Sequence, residues 1–216
     1  MIIQKLSKII DKTLKDEVIL NNYKRFLQSE AEDLSLKLRI PQNDVQLYVY
    51  SLTLDYARLV PKFLEGIDKL FKKYHILDDW LPVLKVIVNF FISPMDLVKC
   101  KSDIHQLMLE SYLAMRILEE ISEFFLERTF TPLLPEKIVY LNATMHSIIG
   151  DSVAQVLDAV VIDIVNSKFP GHQQLSAELH DFLLKLTNKE QELLPKWPNI
   201  NYEIKIKEAI KLYLNS

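Results

Sequence analysis

Between Asp103 and Glu127 the chain carries six carboxylates, Asp103, Glu110, Glu119, Glu120, Glu123 and Glu127, and one Lys or Arg, Arg116. A step of seven residues and then steps of four, three and four link His105, Tyr112, Arg116, Glu119 and Glu123 along one edge of a helix. Carboxylates beside a guanidinium and an imidazole can hold a ligand's cation, relay a proton, or pair with one another. On a buried helix they need partners, because an unpaired buried charge is costly. Asn142 lies close to the apolar centre of the following segment, and His146 sits one turn later at its edge. Both lead toward Gly150, where a missing side chain lets another group approach. The short connector Thr131-Pro132-Leu133-Leu134-Pro135 makes the two segments antiparallel neighbours. The expected cluster is Tyr112, Arg116, Glu119, Glu123, Asn142 and His146, with Glu120 alongside. It reads as a ligand site or as a polar network that fixes helix register. Glu119, Glu123 and His146 are an oxygen and nitrogen set that metals accept, but no spacing demands one. The expectation is therefore no metal, no catalytic residue and no cofactor.

Most catalytic signatures are missing. There is no Gly-rich phosphate loop, no nucleophile elbow, no His-Glu-x-x-His and no cysteine pair at zinc spacing. None of the five histidines has a Glu three residues before it, so the di-iron bundle pattern is also missing. His75 and His172 flank turns and read as surface residues. Cys100 is the only cysteine, which leaves no intramolecular disulfide and suits a reducing, cytoplasmic setting. Near a helix end it reads as a small, buried or half-buried apolar residue.

Two stretches resemble known motifs. Ala177-Glu178-Leu179-His180-Asp181-Phe182-Leu183 resembles the metal-binding centre of HD-type phosphohydrolases. That resemblance implies metal-dependent phosphohydrolysis, with His180 and Asp181 as ligands and His146 upstream. The family's downstream Asp has no counterpart, since no Asp follows Asp181. Glu32-Asp33-Leu34-Ser35-Leu36-Lys37-Leu38-Arg39-Ile40-Pro41, then Asp44-Val45-Gln46-Leu47-Tyr48-Val49-Tyr50-Ser51-Leu52, looks like a helix-turn-helix within residues 30–54. It implies a one-component transcriptional regulator whose helical remainder binds a small apolar ligand. The second helix of this unit holds no Lys or Arg, although phosphate contacts carry most DNA affinity. Arg39 stands near the place of the usual turn glycine.

These residues must be positioned by helices. The chain has three glycines in 216 residues, against about 7% in average proteins. Glycine supplies hairpin turns, so a many-hairpin sheet is excluded. Apolar residues recur at helical spacing in residues 2–14, with Ile2, Ile3, Leu6, Ile9, Ile10 and Leu14 on one face and Lys5, Lys8 and Lys12 off it. Such a helix docks on a core or lies on an anionic membrane surface. Further helices are expected at 16–29 and through 30–54, broken at Pro41-Gln42-Asn43. Pro61 is expected to start or kink the next helix, which ends near Tyr74. Asp79 is expected to cap a helix carrying Pro82 in its first turn, and Ser93-Pro94 to repeat that signal. Ser102 restarts the chain into 103–127, the longest helix, apolar nearly all round. Glu136–Ile149 and 152–166 follow, the latter capped by Asp151-Ser152 and apolar on most sides apart from Gln155, Asp158 and Asp163. Its β-branched run Val160-Val161-Ile162 favours a strand locally, but length and caps favour helix. A turn at 168–171, a helix at 173–187 and a short helix at 202–214 complete the pattern.

The chain reads as one all-α domain, 1–216, a bundle of eight to ten helices around the pair 103–127 and 152–166. A weak N-terminal subdomain, 1–75, is the one expected subdivision. A net charge of −3 gives no electrostatic footprint for nucleic acid. The longest uncharged apolar run, near Val86–Met95, is far short of a membrane span, and the N-terminus lacks a secretory signal's cleavage site. The expected function is non-enzymatic: protein binding, including self-association as a homodimer. The motive is that two helices are apolar on more sides than a monomer covers.

Overall fold

Residues 2–93, 98–169, 175–187 and 193–198 are described by a computed structural model of the chain, and among them lie nine helices and no strand. They are α1 (Ile2–Thr13), α2 (Glu17–Ser29), α3 (Ala31–Leu38), α4 (Gln42–Lys73), α5 (Leu77–Ile92), α6 (Asp103–Thr129), α7 (Lys137–Ile149), α8 (Asp151–Lys168) and α9 (Ala177–Thr187). The protein is an all-α helical bundle. None of these helices is long and apolar enough to cross a membrane. Pro94 of the expected Ser93-Pro94 signal, the turn at Pro170-Gly171, His172 and the helix at 202–214 lie outside the described residues.

The bundle is organised by α6. Its N-terminus is fixed by Ser102, whose Oγ accepts from the His105 N–H at 3.1 Å. Residues on every side of it are buried, from Ile104 to Phe125. Helices α4, α7, α8 and α9 all pack on it, α8 most extensively. The contact between α6 and α8 is the most extensive one, while α4 packs on α1, α2, α3, α5 and α6. Helix α1 buries Ile3, Leu6 and Ile10 against α4 and α5, so its apolar face is a docking face. Residues before and after His75 belong to one buried cluster.

Three expectations about helix limits need correction. Pro61 neither starts nor divides a helix: α4 runs through it for 32 residues, so α4 and not α6, with 27, is the longest described helix. The missing N–H costs one intrahelical bond, but Val60, Pro61, Phe63 and Leu64 are all buried. Packing outweighs the local penalty. Likewise Asp79 does not cap α5, which begins at Leu77 and holds Pro82 inside it. The Asp79 carboxylate instead accepts the Ser176 hydroxyl ahead of α9. Helix α8 starts directly at Asp151, after Gly150 with φ 92° and ψ 144°, and no side chain caps it. It is also less buried than its composition suggests, because Val156 and Ile162 face outward.

Two glycines have visible reasons. Gly150 takes a positive φ between two helices. Gly66 lies in mid-α4 beneath Trp197, whose ring would come within 2.5 Å of an added Cβ. The Trp197 ring also stacks on Phe63, with centroids 5.0 Å apart.

Candidate functional site

Helix α7 runs back along α6 because the connector is held tight. Ser122 Oγ accepts from the Leu134 N–H at 3.0 Å, and Leu133 and Leu134 are buried. Helix α8 then turns at Gly150 and runs parallel to α6, so Tyr112 meets Asp158 and Phe124 meets Phe169. This places polar side chains from α4, α6, α7 and α8 at one level.

Arg116 is the hub. Its Nη1 lies 2.6 Å from Glu119 Oε2, its Nη2 2.8 Å from Glu120 Oε1, and its Nε 3.1 Å from Asp158 Oδ1. The first two are partners at i+3 and i+4 on α6, and the third arrives from α8. Burial works against the guanidinium charge, but Glu119 and Asp158 outweigh it and hold the group still more firmly protonated. One cation therefore faces three carboxylates.

Two arms extend from this hub. In the inner arm, Asn142 Nδ2 donates to Glu119 Oε2 and, at 3.4 Å, to the Met115 carbonyl. Asn142 Oδ1 accepts from Tyr56 Oη at 2.7 Å. Tyr56 and Asn142 are both buried, and burial, with Tyr112 and Glu119 nearby, raises the Tyr56 pKa well above its ordinary value. In the outer arm, Tyr112 Oη donates to Asp158 Oδ1 at 3.0 Å and lies 3.1 Å from His146 Nδ1. A phenol has one proton. With that proton on Asp158, His146 Nδ1 must be the donor to Tyr112. The far side of the imidazole, Nε2, lies 3.3 Å from the exposed Asp151 carboxylate.

The structure thus brings Tyr112, Arg116, Glu119, Asn142 and His146 together. Glu123 stands apart. It is exposed, one turn beyond Glu119, and partial burial with Glu120 and Glu119 nearby raises its pKa. Beside it, Glu120, Glu123 and Glu127 rim a hollow of about 100 Å³ floored by Phe124, Val165 and Phe169. His105 also leaves the expected edge: it sits at the start of α6 against Phe26 of α2, with ring centroids 5.5 Å apart.

Tyr56, Asp151 and Asp158 complete the network and were not expected in it. Asp158 had a signal, as one of few polar residues on an apolar helix. Tyr56 had none, since a tyrosine among Leu52, Leu59 and Val60 reads as core. Glu110, one of the six carboxylates of α6, was not placed in the expected cluster. It is buried on α6, accepts from Gln106 Nε2 at 3.0 Å, and is pushed up to about 7 by burial, the Gln106 bond offsetting part of the shift.

The HD-like set is not assembled. His180 and Asp181 are exposed on α9, whose Phe182 packs by Phe125, whereas His146 packs by Tyr112. Those two levels of α6 are about 20 Å apart along the helix. No group of three or more His, Cys, Asp or Glu able to hold a metal ion occurs among the described residues. Cys100 is half-buried, with its thiol donating to Gln106 Oε1. No protein-family model, curated protein or solved structure matches this chain.

Proposed function

We propose that the protein works by binding a protein partner, a second copy of the chain being the first to test, and that the Arg116 network shapes the binding unit rather than catalysing a reaction. The observation that carries this reading is Phe130. It is 88% exposed and sits at φ 56° immediately after α6. Glycine is the usual residue at such a helix end, because a Cβ in the left-handed region costs about 1–2 kcal/mol. A bulky ring there is unfavourable for the backbone and for hydration alike. Strain of this kind concentrates where function requires it.

Phe130 is not isolated. Leu126 lies one turn earlier on the exposed side of α6, and Val139 and Tyr140 are exposed in the first turn of α7. The α6–α7 connector sets all four at the same end of the bundle. Glu123, Glu127, Glu136 and Lys137 are exposed in the same stretch, giving the apolar corner a charged rim. Large apolar groups within a polar rim are the usual anatomy of a protein interface. Sedimentation equilibrium at micromolar concentration tests the reading. Concentration-dependent association that Phe130→Asp abolishes is the expected result. A strict monomer sinks self-association.

The α3–α4 unit favours a second reading, a DNA-binding regulator, on one observation. Arg39 takes φ 55° at the end of α3, the conformation a helix-turn-helix assigns to its turn glycine. The exposed start of α4, however, offers Gln42, Asn43, Asp44 and Leu47 and no cation. Salt-sensitive retention on duplex DNA is the decisive measurement.

A further inference from the structure

A cavity of about 180 Å³ lies where α2, α3, α6, α7 and α8 meet, well away from the Phe130 corner. Its apolar lining includes Tyr23, Leu34, Met108, Ile148 and Val153. An enclosed apolar cavity of roughly 150 Å³ admits benzene. The space therefore suits a ring of six carbons and a small substituent.

Its charged groups and imidazole are Glu30, Asp33, Lys37, Lys99, Lys101 and His105. His105 lines the cavity and is 8% exposed. Its Nδ1 accepts from the Lys101 backbone N–H at 3.2 Å, so in the neutral ring the proton is on Nε2. Burial first, then Lys101, lowers its pKa to about 4, with Glu30 opposing, and the ring is neutral at pH 7. The described hydrogen bonds use Nδ1, and none of them uses the Nε2–H donor of this lining residue. At the mouth, Lys101 pairs with Glu30 at 3.2 Å and Lys37 with Asp33 at 2.6 Å. Both carboxylates of the lining are thus already engaged. Lys99 is exposed at the same mouth and leaves the rim with one positive charge in excess. The N-terminal turn of α6 adds its dipole on that side.

We infer that this cavity binds a small aromatic monocarboxylate, its ring among Tyr23, Leu34, Met108 and Val153 and its carboxylate on His105 Nε2–H and Lys99. The apolar walls set the body of the ligand. The His105 donor and the surplus cation set its charge: the lining holds three lysines against two carboxylates, and each carboxylate is already paired with a lysine. The site is independent of the partner-binding corner.

Benzoate is the probe, with toluene and acetate as controls, titrated into the full chain and followed by amide chemical shifts. Saturable shifts for benzoate are expected, centred on α2 and the start of α6, and at least tenfold weaker binding of either control. His105→Leu should weaken benzoate at least tenfold, since a hydrogen bond to a charged group is lost. Val153→Phe, which fills the cavity, should abolish it. Lys99→Glu is a surface change that leaves folding intact and should weaken benzoate but not toluene. The inference is overturned if benzoate gives no saturable shifts, or if toluene binds as tightly. It is overturned equally if Lys99→Glu and Val153→Phe both leave benzoate affinity unchanged.

Discussion

Arg116 Nη1 lies 2.6 Å from Glu119 Oε2 on the same face of α6, and Asn142 from α7 closes on the same carboxylate oxygen. The pair is buried, with 7% of the Glu119 side chain and 18% of the Arg116 side chain exposed. Its two members are not equivalent. Arg116 keeps Glu120 and Asp158 when Glu119 is removed, whereas Glu119 keeps no other cation among the described residues when Arg116 is removed.

That asymmetry orders three substitutions. Arg116→Ala strands three carboxylates around an empty centre and should cost about 3–5 kcal/mol, the range for breaking a buried ion pair. Glu119→Ala leaves Arg116 paired but takes an acceptor from Asn142, a loss of about 1–3 kcal/mol. Glu127→Ala removes a side chain that is 71% exposed and should change stability by under ~1 kcal/mol. Urea melts of the three variants check the order. Equal and small effects would show that the network carries no structural weight.

The inner arm makes a sharper case. Asn142 is neutral and both donates to Glu119 and accepts from Tyr56. Asn142→Asp keeps the shape and sets a second carboxylate against the first in a buried place. The variant should be destabilised at pH 7 and recover part of the loss in mild acid, where one carboxyl of the pair is protonated. Tyr56→Phe should cost less, about 1–3 kcal/mol, and its loss should be flat with pH over the same range.

Glu110 and His105 give stability opposite pH slopes. Glu110 has a folded pKa of about 7, above its unfolded value of 4.5, so the folded state holds the extra proton. Its stabilising contribution is complete below pH 4.5 and is lost as pH rises through about 7. His105 has a folded value of about 4, below 6.5. Its contribution is complete above pH 6.5 and is lost as pH falls through about 4. Glu110→Gln should therefore gain stability relative to the parent as pH rises from 5 to 8, a window set by those values. His105→Gln should gain it as pH falls from 6.5 to 4.5. Melting temperatures across pH 4.5–8 separate the two, and parallel curves for parent and variants would refute both assignments.

The helical architecture was legible because it rests on local signals: scarce glycine, apolar spacing, and Ser102 as a cap. The antiparallel run of α6 and α7 was legible from a short connector, and with it the meeting of Glu119 and Asn142. What failed was local rule against tertiary packing. Pro61 and Pro82 look like helix starts, yet buried neighbours carry α4 and α5 through them. Asp158 was visible as a polar residue, but its partner depends on how α8 crosses α6, which no local pattern encodes. Tyr56 and Glu110 were hidden for the opposite reason. Their polar atoms sit in runs whose spacing says only that the helix is buried, and the bonds that satisfy them arise from packing or from a neighbour one turn away.

Phe130 yields the prediction that separates folding from binding. At φ 56° a glycine relieves the Cβ strain and removes an exposed ring, so Phe130→Gly should raise the monomer's stability by about 1 kcal/mol. If the α6–α7 corner is an interface, the same change should abolish association, because the anchor is gone while the fold is firmer. Arg39→Gly is the control. It relieves the same backbone strain at φ 55° on α3 and should raise stability without touching association. Sedimentation and thermal melts on the same samples provide both readings. A Phe130→Gly protein that is more stable and still associates would locate the interface elsewhere. One that is less stable would mean that the ring packs against its own chain and that its exposure serves no partner.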